Sequence, residues 1–209
     1  MGPGKPKSRE AANQGLKRWY RLAQSALLSS AQGRRPQPVP STQHAQAMTA
    51  LMQAVKANKL DTVAQLLASG ANVNQTDGGG DWPVIMAAYL GHTAVLELLL
   101  QAGADLGVLD PGMKATALHA AAYAGRTEAA KLLIAGGIAI NKQGPYNGYT
   151  ALHDAVWQNN LDTAQVILAG GADATIRSNK GQTPLELAKA NNSKELIALL
   201  SDANHLEFG

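Results

Sequence analysis

The stretch Thr116-Ala-Leu-His-Ala-Ala-Ala122 recurs with small changes along most of this 209-residue chain. Thr150-Ala-Leu-His-Asp-Ala-Val156 follows after 34 residues, and Thr183-Pro-Leu-Glu-Leu-Ala-Lys189 after a further 33. Related stretches begin upstream at Thr49 and Trp82. A second, glycine marker keeps the same register: Gly70, Gly103, Gly137 and Gly171. Because two independent markers share one period of this length, the sequence predicts a solenoid of stacked repeats.

Each copy predicts two short helices joined by a tight turn and followed by a loop. In the third copy we expect the first helix near residues 117–124 and the second near 127–134, with Gly125 between them. Glycine adopts left-handed backbone conformations readily and therefore ends helices at low cost. The glycine marker stands where each second helix should end. The sequence therefore predicts an all-α chain.

The starts of the helices carry recognisable signals. A threonine hydroxyl can accept a hydrogen bond from the first turn of a helix, and four first helices have one: Thr49, Thr116, Thr150 and Thr183. The second copy has Trp82 there, so we expect Asp81 to cap that helix and its loop to be displaced. Pro83 and Pro184 suit the first helical position, where no N–H is needed. Carboxylates that complement the helix dipole begin four second helices: Asp61, Glu128, Asp162 and Glu195.

One helix pair has too few apolar residues to bury a face alone. Stacking neighbouring copies would create one continuous core, whose stability is roughly a sum of repeat and neighbour contributions. We expect one equivalent apolar residue from each copy to align in a ladder: Leu51, Val84, Leu118, Leu152 and Leu185.

The repeat resembles the ankyrin family, with bacterial repeat proteins among its members. The resemblance rests on Thr116-Ala-Leu-His119, Thr150-Ala-Leu-His153, Gly91-His92 and Gly103-Ala-Asp105. It implies an all-α, ankyrin-repeat solenoid of about five helix-turn-helix repeats over residues 45–205. Their predicted spans are 45–74, 75–107, 108–141, 142–174 and 175–205. It also implies structural, hydrogen-bonding roles for His119 and His153, and a non-catalytic scaffold that binds proteins.

The positive charge of the chain is concentrated at its start. Residues 1–44 hold eight Lys or Arg against one acid, whereas residues 45–209 hold ten against fourteen. We therefore expect residues 1–44 to be a basic, Pro-rich leader, and the repeat body to be mildly acidic. The acidic body argues against nucleic acid and membrane as partners of the repeats. The sequence contains no stretch of 18 apolar residues, so it predicts no membrane-spanning helix.

Three interpretations of the leader stay open. A basic start, the short apolar centre near Leu22–Leu28 and Ala45-Gln-Ala47 are compatible with an export signal, although a Pro-rich linker at 33–40 separates them. Residues 16–31 could instead form a basic amphipathic helix for a membrane surface or a partner. The third interpretation is a disordered segment of no fixed role. The compartment stays open with them, between the cytoplasm, which is slightly favoured, and export.

Candidate chemistry is sparse. The chain has no cysteine and therefore no disulfide, thiolate nucleophile or cysteine-based zinc site. His119 and His153 occupy one repeat position, His92 lies at a turn, and no pair of histidines has the i, i+4 spacing of a zinc motif. Gly78-Gly-Gly80 lacks the Gly-Lys-Ser/Thr of a phosphate-binding loop and predicts a finger loop. We expect no catalytic residue, metal, cofactor or small-molecule substrate.

The resemblance places a binding surface on the concave side, where first helices end and finger loops rise. The predicted partner-binding residues are Tyr89, Leu90, Met113, Lys114, Tyr123, Tyr146, Asn147, Tyr149, Trp157 and Gln158. Six of the nine aromatic residues lie in the three central copies, and Tyr and Trp often anchor protein interfaces. The rings could alternatively only pack on neighbouring helices.

The leading functional hypothesis is a non-catalytic module that binds another protein through the concave groove and finger loops. The alternative is tethering to an anionic membrane or nucleic acid through the basic leader, which predicts binding that weakens steeply with salt.

Overall fold

The computed structural model describes residues 50–206, and their side chains as far as residue 203. Within that part the chain is helical with no strands, as predicted. The first helices of the repeats are α1 (50–56), α3 (Pro83–Leu90), α5 (Ala117–Ala124), α7 (Ala151–Trp157) and α9 (Pro184–Ala190). The second helices are α2 (Leu60–Ala68), α4 (Thr93–Gln101), α6 (Thr127–Ala135), α8 (Leu161–Ala169) and α10 (Lys194–Leu206). The predicted helices of the third copy are confirmed, the second being one residue longer.

The helices stack in two layers. First helices pack on first helices, α3 on α5, α5 on α7 and α7 on α9. Second helices pack likewise from α2 to α10. The first helices α3, α5, α7 and α9 each also pack on the second helix of their own repeat. Residues one period apart therefore become neighbours in space.

The predicted ladder forms the core between these layers. Leu51, Leu118 and Leu152 are fully buried, and Val84 is 2% exposed. Leu185 is only half-buried, because α9 belongs to the last repeat and has no further first helix to cover it. The prediction therefore holds for four of the five members.

Helix starts follow the predicted signals, with one exception. Thr116, Thr150 and Thr183 cap α5, α7 and α9 through their side chains. Thr49 lies outside the described residues. The expectation for the second repeat was wrong, because the cap position of α3 is Trp82, with no side-chain cap, followed by Pro83. Proline has no N–H to be capped, so the helix needs less from the preceding residue.

Asp81 has a different role from the predicted cap. Its carboxylate lies 3.4 Å from Lys56 Nζ, and its carbonyl accepts the N–H of Asp77 across the loop. The same closing bond spans the three later loops, for example from Gly144 to Tyr149. The second repeat's loop is therefore not displaced, contrary to expectation.

Helix ends use the left-handed backbone at two positions per repeat. After the second helices, Gly70, Gly103, Gly137 and Gly171 have φ between 82° and 92°, as predicted. After the first helices the left-handed residue is either glycine or asparagine, which also tolerates this conformation. Asn58, Gly91, Gly125, Asn159 and Asn192 have φ between 54° and 74°. This asparagine-for-glycine exchange hides the turn from a search for glycine alone.

Candidate functional site: the groove face

The predicted binding residues, called the groove face below, come from the ends of α3, α5 and α7 and from two loops. Trp157, the last residue of α7, is the most exposed aromatic residue of the face, with 53% of its surface exposed. The Tyr149 ring lies 6.2 Å from the Trp157 ring, centroid to centroid, and is tilted by 58°. Tyr149 also stacks on the His153 ring at 5.1 Å. The structure thus brings Tyr149 and Trp157 together, with Gln158 half-buried just beyond the helix.

Exposure decreases from Trp157 towards the second repeat. Tyr123 is half-buried and Tyr89 is only 7% exposed. Burial raises the pKa of Tyr89, and the nearby Tyr123 raises it further. Leu90 is half-buried at the end of α3. Tyr89 therefore contributes more to packing than to an open surface, whereas Trp157 offers most of its ring to solvent.

The finger loop between the second and third repeats is built on Asp110, which is 5% exposed. Its carboxylate accepts the backbone N–H groups of Gly112, Met113 and Ala115, at 2.8 to 3.1 Å. Lys114 is exposed and left-handed, with φ of 55°, and Met113 is half-buried. Asp110 was not predicted, although an aspartate before Pro-Gly is a recognisable turn signal.

The next finger loop presents Tyr146, which is 48% exposed. The Asn147 side chain accepts the N–H of Tyr149 at 2.9 Å, and the Asn147 carbonyl accepts the N–H of Asn179 at 2.8 Å. Asn179 also donates to the Tyr146 carbonyl. Asn147 is exposed, but its amide is already committed to holding the loop. Tyr146 is the open aromatic side chain of this finger.

The histidines have the structural, hydrogen-bonding role that the resemblance implies, and in the structure they join neighbouring repeats. His153 Nδ1 lies 2.9 Å from Thr150 Oγ1, and its Nε2 lies 3.0 Å from the Gln182 carbonyl in the next repeat. His119 makes the same contacts with Thr116 and, at 3.1 Å, with the Tyr149 carbonyl. Burial lowers the pKa of both histidines, despite the opposing effect of these carbonyls. The rings are therefore neutral structural links.

A second set of links was not predicted as a series. Arg126 Nε donates to the Tyr89 carbonyl at 3.1 Å, and Asn160 Nδ2 to the Tyr123 carbonyl at 3.2 Å. His92 Nε2 lies 3.4 Å from the Lys56 carbonyl at the equivalent place. Because three different residue types make this link, the link can be predicted from the position in the repeat and not from the identity of the side chain. These links fix the ends of the first helices, which carry the groove face.

Asp154 is a further residue of this face that sequence reasoning missed. It precedes Trp157 by three residues and lies on the same side of α7. It is half-buried, and burial raises its pKa from 3.8 to about 8. The pKa of Tyr149 is raised mainly by burial of its own ring and, to a smaller extent, by the negative charge of Asp154.

Residues 50–206 offer no candidate metal site. Their His, Asp and Glu side chains form no group of three that could hold a metal ion. No helix in the same part of the chain has the length and apolarity to cross a membrane. His44 and the side chain of His205 lie outside the described positions.

Comparison with known proteins agrees with this architecture. The family model for ankyrin repeats (3 copies) matches residues 26–110 and, overlapping, residues 84–178. The chain belongs to the ankyrin repeat family. A segment of 54 residues is 39% identical to Ankyrin repeat-containing protein YIL001W of Saccharomyces cerevisiae. That segment spans 26% of this ankyrin repeat chain and 10% of the yeast protein. The family is in general a non-catalytic fold for protein–protein interaction.

Proposed function

We propose that this ankyrin repeat protein binds another protein through the concave groove and finger loops. One observation carries the proposal. Only three large apolar side chains are exposed among the described residues, Leu60, Tyr146 and Trp157, and two of them belong to the groove face. Exposed tyrosine and tryptophan supply large apolar area at low entropic cost and are typical anchors of protein interfaces.

The construction of the repeats supports the proposal. The groove face is held in place before any partner arrives. The contacts that hold it are the carboxylate of Asp110, the links from Arg126 and Asn160, and the histidine bridges. A surface that is ordered beforehand loses less entropy on binding. The face is therefore suited to recognition by a prearranged surface.

The test is capture of a partner from native lysate by the full chain. Trp157→Ala combined with Tyr146→Ala removes the two exposed rings while leaving the core intact, so melting should stay cooperative and capture should fall at least about tenfold. Tyr89 is left unchanged because its replacement would open a cavity.

The matched control is Glu128→Ala with Lys131→Ala, which removes an exposed ion pair from α6 in the layer of second helices. That variant should capture the partner as the wild type does. Equal capture by the ring-less variant and the wild type would reject the groove face. The alternative of tethering through the basic leader falls on residues outside the described part and stays a prediction.

A further inference from the structure

We infer that Asp154, Tyr149 and Trp157 form a subsite for a cationic side chain, arginine or lysine, of the bound protein. This inference rests on the proposed groove function and gives the chemistry of one contact within it.

The position of Asp154 in the repeat is the first argument. The equivalent residues in the second, third and fifth repeats are Met86, Ala120 and Leu187, with 6%, 5% and 2% of their surfaces exposed. Since α5 and α9 pack on either side of α7, Ala120 and Leu187 lie on the helices that flank Asp154. Asp154 thus lies between two apolar neighbours in this row, whose member in the first repeat is the exposed Gln53.

The lack of a partner is the second argument. Among the described residues, Asp154 makes no hydrogen bond or ion pair through its carboxylate. The other described carboxylates without a hydrogen-bonding or ionic partner are all exposed: Asp61, Glu97, Asp162, Glu195 and Asp202. Asp154 is the only half-buried carboxylate in this group. No fully buried side-chain oxygen or nitrogen of the described residues lacks a hydrogen-bond partner, so the unpartnered oxygens of Asp154 must keep contact with solvent. A ligand can therefore approach it.

The neighbouring rings define what the ligand should be. Trp157 lies one helical turn beyond Asp154, and Tyr149 stands 6.2 Å from Trp157 with its ring tilted by 58°. Cations are attracted to aromatic faces, and the apolar stem of arginine or lysine packs on the same rings. The partly buried carboxylate supplies the opposite charge. The combination fits a side-chain cation and disfavours an acidic or purely apolar group.

Binding of a cation here should release a proton. Burial raises the pKa of Asp154 to about 8, so the free protein holds a proton there at neutral pH, and a neighbouring cation favours its loss to solvent. The elements packed around α7 carry five other titratable groups: His119 and Tyr123 on α5, Asp162 on α8, and Glu186 and Lys189 on α9. His153 lies on α7 itself, and Tyr149 lies just before this helix. Burial lowers the pKa of both histidines and raises that of Tyr149, and the backbone N–H of Thr183 lowers the pKa of Glu186, so all four are shifted away from pH 8.

The experiment uses the full, isotope-labelled chain and three probes: acetyl-Gly-Arg-Gly-amide, acetyl-Gly-Lys-Gly-amide and the neutral acetyl-Gly-citrulline-Gly-amide. The shift of the Trp157 indole N–H signal reports binding at constant ionic strength. We expect the arginine or lysine peptide to bind at least about fivefold more tightly than the citrulline peptide. The tighter of the two names the cation. Affinity for the arginine peptide should rise about tenfold from pH 7 to pH 9, as Asp154 ionises.

Two replacements and one control complete the test. Asp154→Asn, and Asp154→Leu, which copies the residue of the next repeat, should abolish both the preference for the cation and its pH dependence. Asp162→Asn, an exposed carboxylate of the same repeat, removes the same charge and should change neither. An unchanged preference in Asp154→Asn, or equal binding of all three peptides by the wild type, would overturn the subsite. The groove function is judged separately, by partner capture with the ring-less variant.

Discussion

Replacement of Asp154 by asparagine should stabilise the protein, and increasingly so as the pH rises. The pKa of Asp154 is raised from 3.8 to about 8 because the carboxylate is recessed between helices. The folded state therefore binds this proton more tightly than the unfolded state. Stability that is present at low pH is lost as the pH rises through the unfolded pKa, and the loss is complete only above the folded pKa. Asparagine has no proton to lose and escapes this cost.

The size of the effect follows from the shift. One pKa unit corresponds to about 1.4 kcal/mol, so the interval between 3.8 and pH 7 sets a ceiling of about 4 kcal/mol. Because the oxygens of Asp154 keep some contact with water, we expect about 1–3 kcal/mol at pH 7, and close to zero near pH 4.

The assay is urea unfolding of the wild type and Asp154→Asn, followed by far-UV circular dichroism between about pH 4 and pH 9. The free-energy difference between the two proteins is compared at each pH, which cancels the contributions of His119 and His153. Asp162→Asn serves as the control and should show a difference that does not grow with pH. Parallel profiles for the wild type and Asp154→Asn would refute the reasoning, since the carboxylate would then be as well solvated folded as unfolded.

Two further predictions concern the links between repeats. His153→Ala should cost about 2–4 kcal/mol of unfolding free energy, because it removes the cap partner of Thr150, the bond to the Gln182 carbonyl and a fully buried ring. Glu186→Ala, at the same position of the last repeat, should cost clearly less, because it removes an exposed cap partner and no buried ring, and equal losses in urea unfolding would contradict the bridging role. Gly148→Ala should cost at least about 1 kcal/mol more of unfolding free energy than Gly137→Ala. Both glycines have positive φ, but a new Cβ at 148 would lie 2.7 Å from the backbone nitrogen of Asn179, whereas one at 137 would meet nothing within 4 Å. Coinciding thermal melts of the two variants would argue against this contact.

The sequence predicted the features that depend on the repeat register. Threonine caps and the glycines after the second helices are local signals that recur with the period, and stacking gives them one spatial meaning. The hydrogen-bonding role of His119 and His153 was instead implied by the resemblance to the ankyrin family. The cap of α3 was mispredicted because Trp82 broke the pattern and Asp81 looked like a substitute. Pro83 has no N–H and so reduces the need for a cap, which means that Trp82 and Pro83 have to be considered together to predict the start of this helix.

The depth of the groove residues could not be predicted from register alone. Tyr89, Tyr123 and Trp157 share one repeat position, yet they range from 7% exposed through half-buried to 53% exposed. Their exposure depends on the neighbouring helix and on finger loops of different composition, which the period does not encode. Asp154 was missed for the same reason, because its isolation becomes visible only when α5 and α9 are in place on both sides.

Site-specific photo-crosslinking tests the proposed binding surface most directly. A photoreactive phenylalanine analogue would replace Trp157 on the groove face or, as the control, Lys131 on the second helix α6, in the full chain in its native cell. The account predicts one defined protein adduct from position 157 and none of that size from position 131. An adduct that forms equally from both positions, or from position 131 alone, would contradict recognition through the groove face.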